Sequence, residues 1–237
     1  MLELKNITVA LDGFSLRADL TVPAASHIAV IGASGSGKTT LLSLIGGFLA
    51  PDSGRILWEG GDITAIPPGQ RPVSFLFQDQ NLFPHLTVSQ NVGLGLRPDL
   101  RLSRDQQARV SHALAEVGLT DMEQRSPASL SGGQQSRVAL ARILLRARPL
   151  LLLDEPFAAL GPALKSEMLD LVARIAGETR ATVLMVTHDP GDARSFAPHT
   201  ILIEKGIAHA PVPTGPLLDN PPPELGAYLG EGQIARP

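Results

Sequence analysis

The chain contains no cysteine. Disulfides and thiolate metal sites are therefore excluded. No uncharged apolar run approaches the roughly 18 residues that a membrane span requires. The opening Met1-Leu2-Glu3-Leu4-Lys5-Asn6 carries an acid at once and no apolar core segment, so it does not read as a secretory leader. Excess positive charge is missing too. The formal net charge is −3 and no basic run occurs, which gives a nucleic-acid partner no support. No internal repeat and no Asn-Lys-x-Asp base-reading sequence is present. These absences point to a cytosolic protein that would meet a membrane only through a partner.

What is present is a core and a phosphate-binding signature. With 237 residues, 43% of them hydrophobic, the chain can build one large α/β domain or two small ones. Gly32-Ala33-Ser34-Gly35-Ser36-Gly37-Lys38-Thr39 fits Gly-x-x-x-x-Gly-Lys-[Ser/Thr], the phosphate loop. The β-branched apolar run His27 to Ile31 precedes it and reads as a buried strand. After Thr40, Leu41, Leu44, Ile45 and Phe48 fall at helical spacing. Strand, glycine loop and helix are what the chemistry needs. The glycines let backbone N–H groups close around a polyphosphate, and the helix N-terminus adds its positive end. Lys38 is expected to reach the β- and γ-phosphates, and Thr39 to ligate Mg²⁺.

Elsewhere the pattern alternates between strands and helices. Leu2, Leu4, Ile7 and Val9, the Asp12-Gly13 turn and Phe14 to Leu20 predict an antiparallel layer ahead of the nucleotide-binding core. Pro51 to Gly54 is expected to stop the first helix. Arg55 to Gly60 and Val73 to Phe77 are strand candidates. From about Thr87 to Pro149 the character is helical, with Val110, Leu114 and Val117 on one face. Leu150-Leu151-Leu152-Leu153-Asp154 reads as a strand covered on both faces of a parallel sheet. Leu164 to Ile175 predicts a helix, Ala181 to Thr187 a buried strand, and Ile201 to Ala208 a hairpin. Residues 211–237, rich in proline and glycine, predict a loosely attached tail.

The Leu-rich strand supplies the acids a phosphate loop requires. Asp154 is expected to hold Mg²⁺ opposite Thr39. Glu155, next at the strand mouth, is placed to orient or deprotonate a water. Taken alone, the pair reads as the start of a surface turn before Pro156; the phosphate loop upstream shifts that balance. Ser131-Gly132-Gly133-Gln134 offers backbone N–H groups and a hydroxyl at a helix N-terminus, a second anion site. A simple Ser cap is the bland alternative.

Leu130 to Gln134, followed by Gln135-Ser136-Arg137-Val138-Ala139-Leu140-Ala141-Arg142, resembles the signature motif of ATP-binding-cassette (ABC) ATPases. The order of phosphate loop, signature and Asp-Glu strand extends that resemblance from Met1 to about Ala208. It implies an α/β fold over 1–210: a RecA-like phosphate-loop core with an N-terminal antiparallel β layer and an inserted α-helical subdomain at about 87–149. ATP and Mg²⁺ are the implied ligands. ATP would lie on Gly32, Ala33, Ser34, Gly35, Ser36, Gly37, Lys38, Thr39 and Thr40 of one copy. Ser131, Gly132, Gly133 and Gln134 of a second copy would close on its γ-phosphate. Thr39, Gln78 and Asp154 would serve the metal. Glu155, His188, Gln78 and Lys38 would serve the reaction, with His188 as the switch histidine on the γ-phosphate.

Two positions depart from the family pattern. The interface loop Phe157-Ala158-Ala159-Leu160 usually ends in Asp, and Gly161 stands there. Where the family stacks an aromatic ring on adenine, this chain has Leu11, with Phe14 the nearest aromatic. Among family members, Arg71 to Leu96 looks most like the ATPases of bacterial thiamine importers. That implies an integral-membrane permease partner, with Leu82 and Phe83 as apolar anchors for its docking helix. It also implies a periplasmic or extracellular solute-binding protein reached through the permease, and a place on the cytoplasmic face of the cell membrane. The rival expectations are an importer of another solute (inorganic anion, metal or polyamine), a soluble relative acting on a macromolecular complex, and a phosphate-loop GTPase or kinase.

Overall fold

The computed structural model describes residues 1–79 and 81–234. Gln80 and residues 235–237 of the C-terminal stretch lie outside the described residues. β1 (Leu2–Leu11) and β2 (Phe14–Val22) pair antiparallel around Asp12-Gly13, with Gly13 at φ 75°. The apolar positions of β1 switch from even (Leu2, Leu4) to odd (Ile7, Val9). A one-residue bulge absorbs the switch: both ladders of β1 shift just after Leu4 and Lys5, where Asn6 adopts φ 49°. All four side chains thereby stay on the buried face.

After β3 (His27–Ile31) and α1 (Lys38–Gly46), the chain returns to this first layer as β4 (Ser53–Trp58) and β5 (Gly61–Asp62). Trp58 lies opposite Leu2 and is 9% exposed. β6 (Val73–Leu76) begins the far edge of the sheet. Three helices then form the inserted lobe: α2 (Val88–Gly93), α3 (Arg104–Glu116) and α4 (Gly132–Leu145). Each starts at a Thr or Ser three residues before a Gln, and all three make a reciprocal capping box: Thr87/Gln90, Ser103/Gln106 and Ser131/Gln134. Val110, Leu114 and Val117 bury their shared face, with Val88 and Val138, in this lobe's own small core.

The chain re-enters the main sheet as β7 (Leu150–Asp154), followed by α5 (Pro162–Thr179), β8 (Thr182–Val186), α6 (Pro190–Phe196) and β9 (His199–Glu204). β9, β3, β8, β7 and β6 lie parallel in that order. Both faces of β7 and β8 are covered, which is why neither alternates. β10 (Ile207–Ala208) turns back on β9 through Lys205-Gly206, both at positive φ, and also runs parallel to β2. That two-residue strand joins the antiparallel layer to the parallel core in one curled sheet.

Two expectations change. Phe48 is not on the buried face of α1. The helix ends at Gly46, and Gly47 at φ 82° lets Phe48 N–H reach Ser43 C=O at 2.9 Å. That closure precedes Pro51, and it turns Phe48 outward to 53% exposure, against the stacked Phe75 and Phe77. The described part of residues 211–237 is not a loose tail. β11 (Val212–Pro213) pairs with β9, and α7 (Thr214–Asp219) is tied to it by a buried Thr200–Thr214 hydroxyl contact at 2.8 Å. α8 (Pro223–Ile234) buries Leu225 to 3% exposure, and Lys205 pairs with Glu224. The prolines here start helices rather than prevent them.

Candidate active site

β3 delivers the chain into the phosphate loop with no room to spare. A Cβ at Gly32 would run into the Ile203 carbonyl, and one at Gly37 would come within 2.6 Å of Phe14 Cζ. Gly37 also sits at φ 107°, outside the range of ordinary side chains. Lys38 opens α1, and its Nζ donates to the Gly32 and Ala33 carbonyls at 2.8 and 3.0 Å. The first amides of α1 have no intrahelical acceptor and face the loop. Ser36 Oγ is buried and has no hydrogen-bond partner. An unpartnered buried hydroxyl, free amides and an ammonium parked on carbonyls together fit a polyphosphate.

Parallel pairing then assembles the acids at the same end of the sheet. Asp154 lies opposite Val186, and Glu155 follows at φ 45° with its N–H on Val186 C=O at 3.2 Å. Asp154 is 6% exposed. Burial raises its pKa, the Thr39 hydroxyl opposes that, Glu155 adds to it, and Lys38 opposes it. Burial lowers the Lys38 pKa against the pull of Glu155 and Asp154. At both groups burial disfavours the charged form, a cost that a bound phosphate and a cation would relieve. No group of three or more His, Cys, Asp or Glu gathers among the described residues. Mg²⁺ does not need one, since it keeps water and binds through one or two carboxylates plus substrate phosphates.

His188 follows β8, and its Nδ1 lies 3.3 Å from Glu155 Oε2. With Glu155 ionised, Nδ1 carries the proton of that contact. Lys38, Thr39, Asp154, Glu155 and His188 are therefore gathered at one strand end. Gln78 is exposed two residues beyond β6, which pairs Leu76 with Leu153 at that same end. Ser131 to Gln134 opens elsewhere, at the start of α4, where a Cβ on Gly133 would strike Leu164 of α5. Ser131 Oγ accepts from Gln134 N–H at 3.3 Å, and Gln134 Oε1 accepts from Ser131 N–H at 3.0 Å. The cap geometry and the anion-site reading are compatible. Oγ uses a lone pair inward, and the hydroxyl proton and the first-turn amides stay free to face outward.

The remaining motif residues divide by exposure. Gly161 is the N-cap of α5, with no side-chain cap bond. Leu11 is 42% exposed beside the hairpin turn, and Phe14 packs under the phosphate loop rather than over a base. Phe83 is 44% exposed, whereas Leu82 is half-buried between the helical lobe and the core. Asn91, fully buried, holds the Phe83 loop by accepting from Phe83 N–H at 2.8 Å and donating to the Phe83, Leu86 and Thr87 carbonyls. Beside it a cleft of about 260 Å³ opens between Phe75, Phe77, Phe83, Leu94 and Arg142.

Sequence reasoning missed the carboxylates around His188 and the buried Arg71. Asp189 caps α6 through Gly191 N–H at 2.8 Å, and the Asp-Pro pair at 189–190 was the legible sign of it. Arg71, 1% exposed, donates to the Leu44, Ile45, Thr64 and Ile66 carbonyls at 2.7–2.8 Å. It ties the end of α1 to the loop after β5.

Comparison with known proteins identifies the family. Residues 16–158 match the ABC transporter family. The thiamine import ATP-binding protein ThiQ of Cereibacter sphaeroides is 62% identical over 230 residues, 97% of this chain and 100% of its own. The protein of the same name from Ruegeria sp. is 56% identical over the same shares. A dimeric ATP-binding cassette in a post-hydrolysis state, bound to ADP and Pi, matches with a TM-score of 0.79 at 29% identity. The match covers 90% of this chain and 99% of that one. Fold and relatives converge, and the chain belongs to the ABC transporter family as one of its ATP-hydrolysing cassettes.

Proposed function

We propose that this chain powers the uptake of thiamine or its phosphates as the ATPase subunit of an importer. The observation that carries the ATPase reading is the meeting of Lys38, Asp154, Glu155 and His188 at one strand end. The cargo rests on relatives of more than half identity over nearly the whole chain, all named for thiamine import.

In this reading the triphosphate lies on the amides of Gly32 to Thr40, and Lys38 exchanges two carbonyls for phosphate oxygens. Thr39, Gln78 and Asp154 hold Mg²⁺, which supplies charge neutralisation as a Lewis acid when bound. Glu155 accepts a proton from the attacking water. His188 and Gln78 orient the γ-phosphate and the water. Ser131 to Gln134 of a second copy adds outward donors to the transferring phosphoryl group. Phe83, on its Asn91-held loop, and the neighbouring aromatic cleft receive a short apolar helix of the permease. A solute-binding protein outside the membrane delivers the cargo to that permease.

The test is ATP hydrolysis by the full complex in proteoliposomes. Binding protein loaded with thiamine should stimulate turnover several-fold over the empty protein. Equal rates with and without thiamine and its phosphates would remove the cargo assignment and leave the ATPase standing.

A further inference from the structure

His188 stands on a pedestal. Its neighbours Thr187 and Asp189 are bound on several sides, and its own side chain is 52% exposed. Thr187 Oγ1 donates to Asp192 Oδ2 at 3.1 Å and accepts from Asp189 N–H at 3.0 Å. Asp189 Oδ1 caps α6 at Gly191. The pedestal is joined to another element by Lys165, whose Nζ lies 2.9 Å from Asp189 Oδ2 and 3.1 Å from an Asp192 carboxylate oxygen. All three side chains are largely sheltered, at 16, 22 and 17% exposure. One cation thus serves two carboxylates, and its own ionised form is favoured by both, which outweighs the cost of its burial.

Lys165 is also one turn from the interface loop. Its backbone N–H bonds the Gly161 carbonyl at 2.9 Å, in the first turn of α5. Phe157 to Leu160 precedes that turn directly. The same short element therefore ends the interface loop at one side and grips the switch segment at the other.

We infer that Lys165 is a positioning residue for ATP hydrolysis, which holds His188 in register with Glu155 and ties it to the interface loop before α5. The inference rests on the proposed role of His188. A surface ion pair would contribute little. A sheltered cation shared by two carboxylates has discrete geometry, and it fixes the backbone from which the imidazole projects. Losing it frees the Thr187–Asp189 segment to move by a fraction of an ångström to an ångström, enough to misplace a catalytic group.

The experiment is a double-mutant cycle on the full chain, with turnover, ATP affinity and melting temperature measured for each variant. Lys165→Met is expected to lower kcat about 10- to 100-fold with the ATP dissociation constant within about twofold. Lys165→Arg, which can still serve both carboxylates, should recover most of the rate. In a His188→Ala background, Lys165→Met should cost less than about twofold further, because the group it positions is gone. Should Lys165→Met fail to fold, Lys165→Gln keeps a donor without the charge and is read the same way. Undiminished kcat in Lys165→Met, or full additivity with His188→Ala, overturns the inference and leaves the ATPase reading intact. Undiminished turnover in His188→Ala alone removes the role of His188, and this inference with it.

Discussion

The phosphate loop and the signature turn are built from the same parts and behave differently. Both are glycine-containing entries to helices with serine nearby. The two ends of Gly32 to Lys38 are enclosed, while Ala33 to Gly35 face solvent: Ile203 and Phe14 press on Gly32 and Gly37, Ser36 is buried, and Lys38 is 9% exposed. Ser131 and Gly132 are exposed, and the serine satisfies its own helix through Gln134. The first is a loop that its own chain packs against. The second is a capped helix start whose Ser131 and Gly132 face outward. The difference lies in what flanks the glycines: an apolar strand and its sheet neighbours in one case, a solvent-facing lobe in the other.

The largest test of this contrast is Glu155→Gln. It leaves the phosphate loop whole and removes the proton acceptor. Turnover should fall about 10²- to 10⁴-fold, with ATP still bound and the ATP-loaded dimer more stable by size-exclusion chromatography. Unchanged hydrolysis would take Glu155 out of the reaction. Next in size is Ser131→Asp. Aspartate caps a helix as well as serine does, so α4 should keep its stability. The outward charge would now face an anion, and hydrolysis should fall about 10²-fold with the affinity of the monomer for ATP unchanged. A weakened monomer affinity would place the signature in the same pocket as the loop and erase the distinction. The smallest test is Leu11→Tyr, beside the hairpin turn. A ring there should tighten ATP relative to GTP by about 2- to 10-fold in equilibrium binding. Equal affinities and selectivity in both proteins would show that Leu11 does not face the base.

The two regions also differ in how legible they were. The Leu-rich run at 150–154 and the β-branched run at 27–31 could be read because strands covered on both faces leave no alternation. Ser131 was legible as the start of a helix, and the structure adds its reciprocal capping box with Gln134. The positions of Lys38, Asp154 and Glu155 followed from motif order. What stayed hidden depends on approach from outside the local segment. Phe48 looked like a core residue until Gly47 turned it away. Arg71 gave no sign that four carbonyls from two elements would enclose it. Residues 211 onward looked too rich in proline and glycine to dock, yet Leu225 enters the core beside β9. Lys165 was one exposed-looking cation on a helix, and only the packing of α6 against α5 brings Asp189 and Asp192 to it. Spacing shows which face of an element is apolar, and it does not show which polar groups a second element will present.

The sole tryptophan of the chain, Trp58, sits in the antiparallel layer opposite Leu2. As a native fluorophore it reports the integrity of that layer and is remote in the sheet order from β7 and β8, where the chemistry gathers. An unfolding curve followed by tryptophan emission would therefore track the scaffold, and nucleotide occupancy would pass nearly unseen. Pairing Trp58→Phe with Leu11→Trp would move the probe to the far end of β1 by the hairpin turn, where a change of emission on adding ATP would mark a base contact and an unchanged emission would exclude one.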